Sequence, residues 1–375
     1  MLRTEKRLDD MDMVKGVGII LVVIGHSTYV SENTLTWLAS FHMPLFFLIS
    51  GMLFAYRHAE KEKFSIYAKK RFCGMMIPYF WFSLIYIGVD YYYLFAHPEL
   101  IDQAFINAAV LQAVSFYGIS VLWFLPTLFL GELLFYFLIK KCRTWQLAAA
   151  GIFSAWAAVP GVMLVQRYVN MEENAFMTWL GNILLGMLRV FPAVVFLLLG
   201  YSVWQLLQRF SIKPLYEIIA GVMLLLFHAA VAFANGRVDL HYLVFHNVLY
   251  YYVAACSATF GLLLIFRHVK PSLWLLTFLG SNSLIVMLTH LDCQVMSTAI
   301  RFAAGMNQFI PRAKDLMFRV NLYGALLIGE LVLIVLVNRF GFFLIGRKHP
   351  VKMQFPGCVE RLLTGIRAKR FKRIK

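Results

Sequence analysis

Residues 12–30, DMVKGVGIILVVIGHSTYV, and residues 36–56, TWLASFHMPLFFLISGMLFAY, are two apolar runs with only residues 31–35 between them. Each has about the 20 residues that a helix needs to cross the hydrocarbon layer of a bilayer. The basic residues before the first run could belong to a secretory signal. Ser27-Thr28-Tyr29 is a poor cleavage context, however, and the second run follows at once, so the first run reads as a retained span.

The same pattern continues along the chain, with apolar runs at 74–95, 119–140, 145–165, 186–208, 214–234, 246–267, 272–293 and 318–345. Of 375 residues, 61% are hydrophobic and 14% are charged, too much apolar surface for one soluble core, so lipid must cover it. Connections between runs are of two kinds. One kind is basic: Arg57, Lys61, Lys63, Lys69, Lys70 and Arg71; Lys140, Lys141 and Arg143; Arg209 and Lys213; Arg267 and Lys270. The other, at 96–118, 166–185, 235–245 and 294–317, is poorer in Lys and Arg. Lys and Arg are held on the cytoplasmic side during insertion, and the two kinds alternate. This predicts an all-α, polytopic membrane bundle of about ten transmembrane helices with both termini in the cytoplasm. Residues 1–345 form the membrane domain and 346–375 a basic cytoplasmic tail. The net charge of +16 lies in short clusters between spans, a topology signal that argues against nucleic-acid binding.

Residues 57–72, RHAEKEKFSIYAKKRF, read as an amphipathic helix on the inner leaflet, offering Phe64, Ile66, Tyr67 and Phe72 to lipid. The tail from 357 onward reads as a second one, attracted to anionic lipid. The five cysteines are scattered, with neither CxxC nor zinc spacing, and no structural disulfide is expected.

Ionisable groups within a span are costly and mark function by default. On a helical wheel Asp12, Lys15 and His26 share one face of the first span, with Ile19 and Val22 on the same stripe. His26 lies about 16 Å beyond Lys15 along the axis. Asp12 and Lys15 alone fit an interfacial ion pair as well as a substrate site. His42 in the second span and His290 in the ninth fall at a similar outer depth, so three histidines from three spans converge on one level. Glu132 and Glu330 sit inside apolar runs and read as hydrogen-bonded structural carboxyls. Arg189, near the outer end of the sixth span, suits a glycan, a carboxylate or a lipid headgroup. His228, His241 and His246 also fall outward but carry no motif. No histidine, cysteine or carboxylate spacing suggests a metal.

These residues resemble a known family. Asp12-Met13-Val14-Lys15-Gly16, the run to Gly25-His26, and Phe41-His42-Met43-Pro44-Leu45-Phe46-Phe47-Leu48-Ile49-Ser50-Gly51 look like the opening of the acyltransferase-3 family, closest to its fucose 4-O-acetylase-like branch. Further matches are Lys70-Arg71 before Pro78-Tyr79, Leu122-Trp123-Phe124-Leu125, Phe196 to Gly200 with Tyr201, and Leu279-Gly280-Ser281-Asn282-Ser283 with His290. The resemblance implies a ten-helix enzyme of the bacterial cytoplasmic membrane. It would move an acyl group, usually acetyl from cytoplasmic acetyl-CoA, to a hydroxyl of an envelope glycan. It makes His26 the catalytic histidine, with His42 and His290 beside it. Lys15, Lys70 and Arg71 are candidates for the CoA phosphates, and Asp12, Trp123, Arg189 and Asn282 for substrate contacts. Another branch carries Arg where this chain has Lys15, and lysine lacks the planar bidentate fork. The extracellular hydrolase-like domain of many members is absent from this chain. The rival readings are an exporter of a glycan or small polar solute and a non-catalytic subunit of a polysaccharide assembly complex. No inverted repeat of the transporter kind is present.

Overall fold

A computed structural model describes residues 8–27, 29–171, 173–209, 212–269, 273–307 and 314–351. The predicted amphipathic tail from 357 onward lies outside them. The helices are α1 (Asp9–Gly25), α2 (Glu32–Ala39), α3 (His42–Tyr56), α4 (Phe64–Arg71), α5 (Ile77–Ala96), α6 (Gln103–Val114), α7 (Phe124–Lys141), α8 (Thr144–Tyr168), α9 (Ala175–Arg209), α10 (Pro214–Asn235), α11 (Val248–Phe266), α12 (Trp274–Ser281), α13 (Ser283–Thr289), α14 (Val295–Asn307) and α15 (Lys314–Arg339). The fold is an all-α polytopic bundle.

Among the described residues, eight helical stretches are long and apolar enough to cross a membrane: 32–56, 64–96, 120–141, 144–168, 175–209, 214–235, 248–266 and 316–339. The expected first and ninth spans are not among them, each for a local reason. Helix α1 has 17 residues and stops at Gly25, so His26 caps the helix instead of lying inside it. The ninth run is interrupted at Asn282, between α12 and α13. There the Asn282 side-chain Nδ2 donates to the Phe278 carbonyl at 2.9 Å, a contact that competes with the helix's own hydrogen bonding.

The 57–72 segment also differs from its expected form. His58 takes the left-handed conformation (φ 51°), one 3₁₀ turn follows at Ala59–Lys61, and only Phe64–Arg71 is α-helical before a π-turn at Phe72–Met76 leads into α5. Phe64, Ile66 and Phe72 are exposed, whereas Tyr67 is buried and donates its hydroxyl to Glu132 Oε2 at 3.2 Å. A phenol with a buried carboxylate partner gains more by turning inward than by meeting lipid.

Two helix pairs touch through their backbones. A Cβ on Gly16 would fall 2.1 Å from the Leu276 carbonyl oxygen, and one on Gly280 would fall 1.8 Å from that of Asp12, which locks α1 against α12. Gly51 and Gly200 do the same for α3 and α9, against Leu197 and Leu48. Small residues allow this approach where lipid supplies no hydrophobic drive between helices.

Candidate functional site

The C-terminal end of α1 opens on a cavity of about 700 Å³. His26 reaches it from the helix cap, and the turn after it is held by Ser27, whose hydroxyl lies 3.2 Å from that of Tyr323 on α15. His42 reaches it from the first turn of α3. Pro44 fits there because the first-turn N–H groups have no helical partner to lose. His42 Nδ1 lies 2.5 Å from the Leu38 carbonyl oxygen, and His290 Nδ1 lies 2.9 Å from that of Val286. A carbonyl can only accept, so Nδ1 carries the proton in both rings and Nε2 is the basic nitrogen. His290 does not line the cavity. It is fully buried behind His26, with ring centroids 5.2 Å apart, and its Nε2 has no hydrogen-bond partner among the described residues. The three predicted histidines therefore gather, two on the cavity wall and one behind it.

The opposite wall comes from the connections before α7 and between α10 and α11. Residues 239–244 fold into a tight turn closed by an isolated bridge between Asp239 and Val244, and Asp239 Oδ1 accepts from the Tyr242 N–H at 3.1 Å. Arg237, Asp239, His241 and Tyr242 all line the cavity, and the Asp239 charge reaches His26. Arg237 pairs with Glu32 of α2 at 2.8 Å. His241 stacks on Trp123, with centroids 5.4 Å apart and planes within 8°. Burial, with the Arg189 guanidinium beside it, pushes the His241 imidazole down to about 3.

Trp123 is thus on the cavity wall, while Arg189 is behind it and 1% exposed. Its Nε donates to the His241 carbonyl at 2.7 Å and its Nη1 to the Tyr117 carbonyl at 2.8 Å, and the guanidinium lies 3.9 Å from the Tyr117 ring centroid. Arg189 ties the two connections together from inside. Their backbone is strained, with positive φ at Phe116, Ser120 and Leu243. Gly118 (φ 89°) has no space for a side chain, because a Cβ would meet Trp123 N at 2.3 Å. Strain of this kind gathers where a surface is held in one shape for a purpose.

A second cavity, about 210 Å³, lies toward the N-terminal half of α1, with Lys15, Ser50, Arg71, Gly74, Glu132 and Ser283 on its wall. The π-turn at Phe72–Met76 shifts the helix register where Arg71, Gly74 and Met75 meet the cavity. Lys15 Nζ is 2.7 Å from Asp12 Oδ1, and Arg71 Nε is 2.7 Å from Glu132 Oε2. Lys70 points elsewhere, more than half exposed and paired with Glu62. Asp12 and Asn282 line neither cavity. Asn282 holds the break between α12 and α13 and accepts from Asn338 Nδ2 at 2.9 Å. The two cavities share three wall residues, Val22, Met43 and Met287.

Among the described residues no three His, Cys, Asp or Glu side chains converge closely enough to hold a metal ion. The arrangement offers an imidazole at a helix cap, a carboxylate facing it, an aromatic and polar wall suited to a hydroxylated ring, and an adjoining recess that holds Lys15, three turns of α1 away, and Arg71. Sequence reading missed Arg237 and Asp239, and left His241 without a role. The only signal for them is the polar stretch Gly236-Arg237-Val238-Asp239 between apolar runs.

The family model described as an acyltransferase domain matches residues 8–339, nearly the whole chain. Comparison with curated proteins and with solved structures gives no match.

Proposed function

The chain belongs to this acyltransferase-3 family, and from that premise we propose that it moves an acetyl group from cytoplasmic acetyl-CoA to a hydroxyl of an envelope or exported glycan. One observation carries the reading: a small cavity with Lys15 and Arg71 on its wall meets a larger one that holds His26, Arg237 and Asp239. In this reading the nucleotide of CoA stays at the basic side, near Lys15 and Arg71, and its slender arm runs up the α1 stripe toward His26. Asp12 and Glu132 already neutralise part of that positive charge, so each cation contributes modestly to phosphate binding. The glycan occupies the larger cavity, a sugar face against Trp123 or Tyr242 and its hydroxyls among Gln112, Asn182 and Arg237. The fucose 4-O-acetylase-like branch is the reading of the acceptor that the sequence favours.

A hydroxyl is a poor nucleophile until a base takes its proton. A ring nitrogen of His26 accepts that proton as the oxygen bonds to the thioester carbonyl carbon. The tetrahedral intermediate then collapses, the C–S bond breaks, and the imidazolium returns its proton to the departing thiolate. One ester and one free CoA thiol result. The Asp239 carboxylate stabilises the imidazolium in between, and His290, packed against His26, orients its ring.

Purified protein given labelled acetyl-CoA and a panel of hexopyranosides tests the reading. Label is expected in sugar ester with equal release of CoA thiol. No transfer to any panel sugar or to isolated envelope glycan overturns it. The orientation is tested by membrane-impermeant thiol labelling. A cysteine placed near Asn170 should be reached from outside and one at Ser65 should not. Labelling of residue 65 from outside would refute the orientation.

A further inference from the structure

Val22, Met43 and Met287 are the residues common to both cavities, and each stands beside a histidine of the site. Val22 is one helical turn before His26, Met43 directly follows His42, and Met287 is three residues before His290. The three side chains form a partition just below the histidine level, contributed by α1, α3 and α13. The partition is packed: Val22 is 2% and Met287 7% exposed, and Met43 is half-buried. Its two sides are unequal, with about 210 Å³ on the Lys15 side and about 700 Å³ on the His26 side.

Resting on the donor and acceptor assignment above, we propose that Val22, Met43 and Met287 form the filter that sets which acyl group this enzyme accepts. A thioester entering from the Lys15 side leads with its acyl group. That group must pass the partition before the carbonyl carbon stands within reach of a hydroxyl held by His26. The large cavity beyond is too roomy to reject a longer chain, so selection falls at the partition. Methionine is unbranched, has three rotatable bonds and can swing aside. Valine is branched at Cβ and stiff, and it fixes the third side of the opening. An acetyl group parts the two thioethers slightly, and each added methylene must part them further. In an apolar slot a single methylene is worth roughly 10-fold or more in discrimination.

The test is kcat/KM of the purified enzyme with acetyl-, propionyl-, butyryl- and hexanoyl-CoA. Wild-type enzyme should fall steeply along the series. In Met43→Ala/Met287→Ala the butyryl-to-acetyl ratio should rise about 10-fold or more, while the volume-conserving Met287→Leu keeps the wild-type ratio. In the other direction, Val22→Ile and Met287→Phe should lower the propionyl-to-acetyl ratio. These enlarging variants also decide the matter if the alanine pair does not yield a monodisperse protein. Ratios unchanged in both the reduced and the enlarged variants overturn the filter while leaving the transfer reaction standing. Absence of transfer from every acyl-CoA in wild type instead overturns the assigned reaction.

Discussion

The imidazole rings of His26 and His290 lie with their centroids 5.2 Å apart and their planes tilted by 49°. One ring is exposed on the cavity wall and the other is wholly buried. Because His290 Nδ1–H donates to the Val286 carbonyl, the unpartnered Nε2 is left as an acceptor. In the proposed mechanism the pair divides labour: His26 exchanges protons with substrates and His290 sets its surroundings. His26→Ala should cost roughly 10²–10⁴ in kcat, the usual worth of a general base, with the protein still monodisperse. His290→Ala should cost less. Labelled acetyl-CoA given without acceptor should leave no label on the protein. Acceptor-independent CoA release with acetyl retained at His26 would make the residue a nucleophile instead.

Asp239 faces His26 across the cavity from a turn that its own side chain helps to close. Asp239→Asn should lower kcat on the order of 10-fold, since a fixed charge near the reacting group gives part of what a direct electrostatic stabiliser gives. In a His26→Ala background the same change should have little further effect, because its target is gone. Equal losses in both backgrounds would assign Asp239 to the shape of the turn alone.

Glu132 is almost fully buried and paired with Arg71, itself only a quarter exposed. Removing one member of a buried pair leaves the other charge without compensation. Glu132→Gln should therefore destabilise the protein by about 2 kcal/mol, less than a fully buried pair because water reaches Arg71. Thermal unfolding in detergent measures this, and an unchanged midpoint would show that the pair contributes little.

His241 is held far below the ordinary imidazole value by burial and by Arg189. The neutral ring is favoured in the fold, so the contribution to stability is complete above about pH 6.5 and is lost as pH falls toward about 3. His241→Gln cannot take up that proton. Its unfolding midpoint should fall less steeply than that of wild type between pH 6.5 and pH 4, with the two profiles parallel above pH 7. Identical acid slopes would place the sensitivity in another group.

Periodicity made the bundle legible, because lipid rewards long apolar helices whatever their neighbours are. The face of Asp12, Lys15, Ile19, Val22 and His26 needed only the helical repeat, and the structure puts Lys15, Ile19, Val22 and His26 on cavity walls while Asp12 lines neither cavity. Helix ends were less legible. Gly25 and Asn282 sit inside apolar runs, and hydropathy does not register where the backbone departs from helix. Tyr67 was misplaced because its partner, Glu132, is 65 residues away in sequence. Arg189 looked like a surface ligand for the same reason: its partners are carbonyls of two distant connections. The wall made by Asp239 and His241 had no periodic signal, since it comes from a turn folded back on the bundle.

The backbone contact of Gly16 with Leu276 and of Gly280 with Asp12 has a mechanical consequence. Two helix backbones in contact without side chains between them have little room to slide or rock, so α1 acts as a ruler fastened at its charged end. In the proposed reaction the span from Lys15 to His26, about 16 Å of helix rise, is the gauge against which a CoA donor is measured. A donor analogue lengthened by one methylene between nucleotide and thioester would still dock at the cationic end. Its carbonyl would overshoot the imidazole by about 1 Å, a misplacement that costs on the order of 10²-fold in rate. Such a molecule would be held and left unreacted, an inhibitor by length alone.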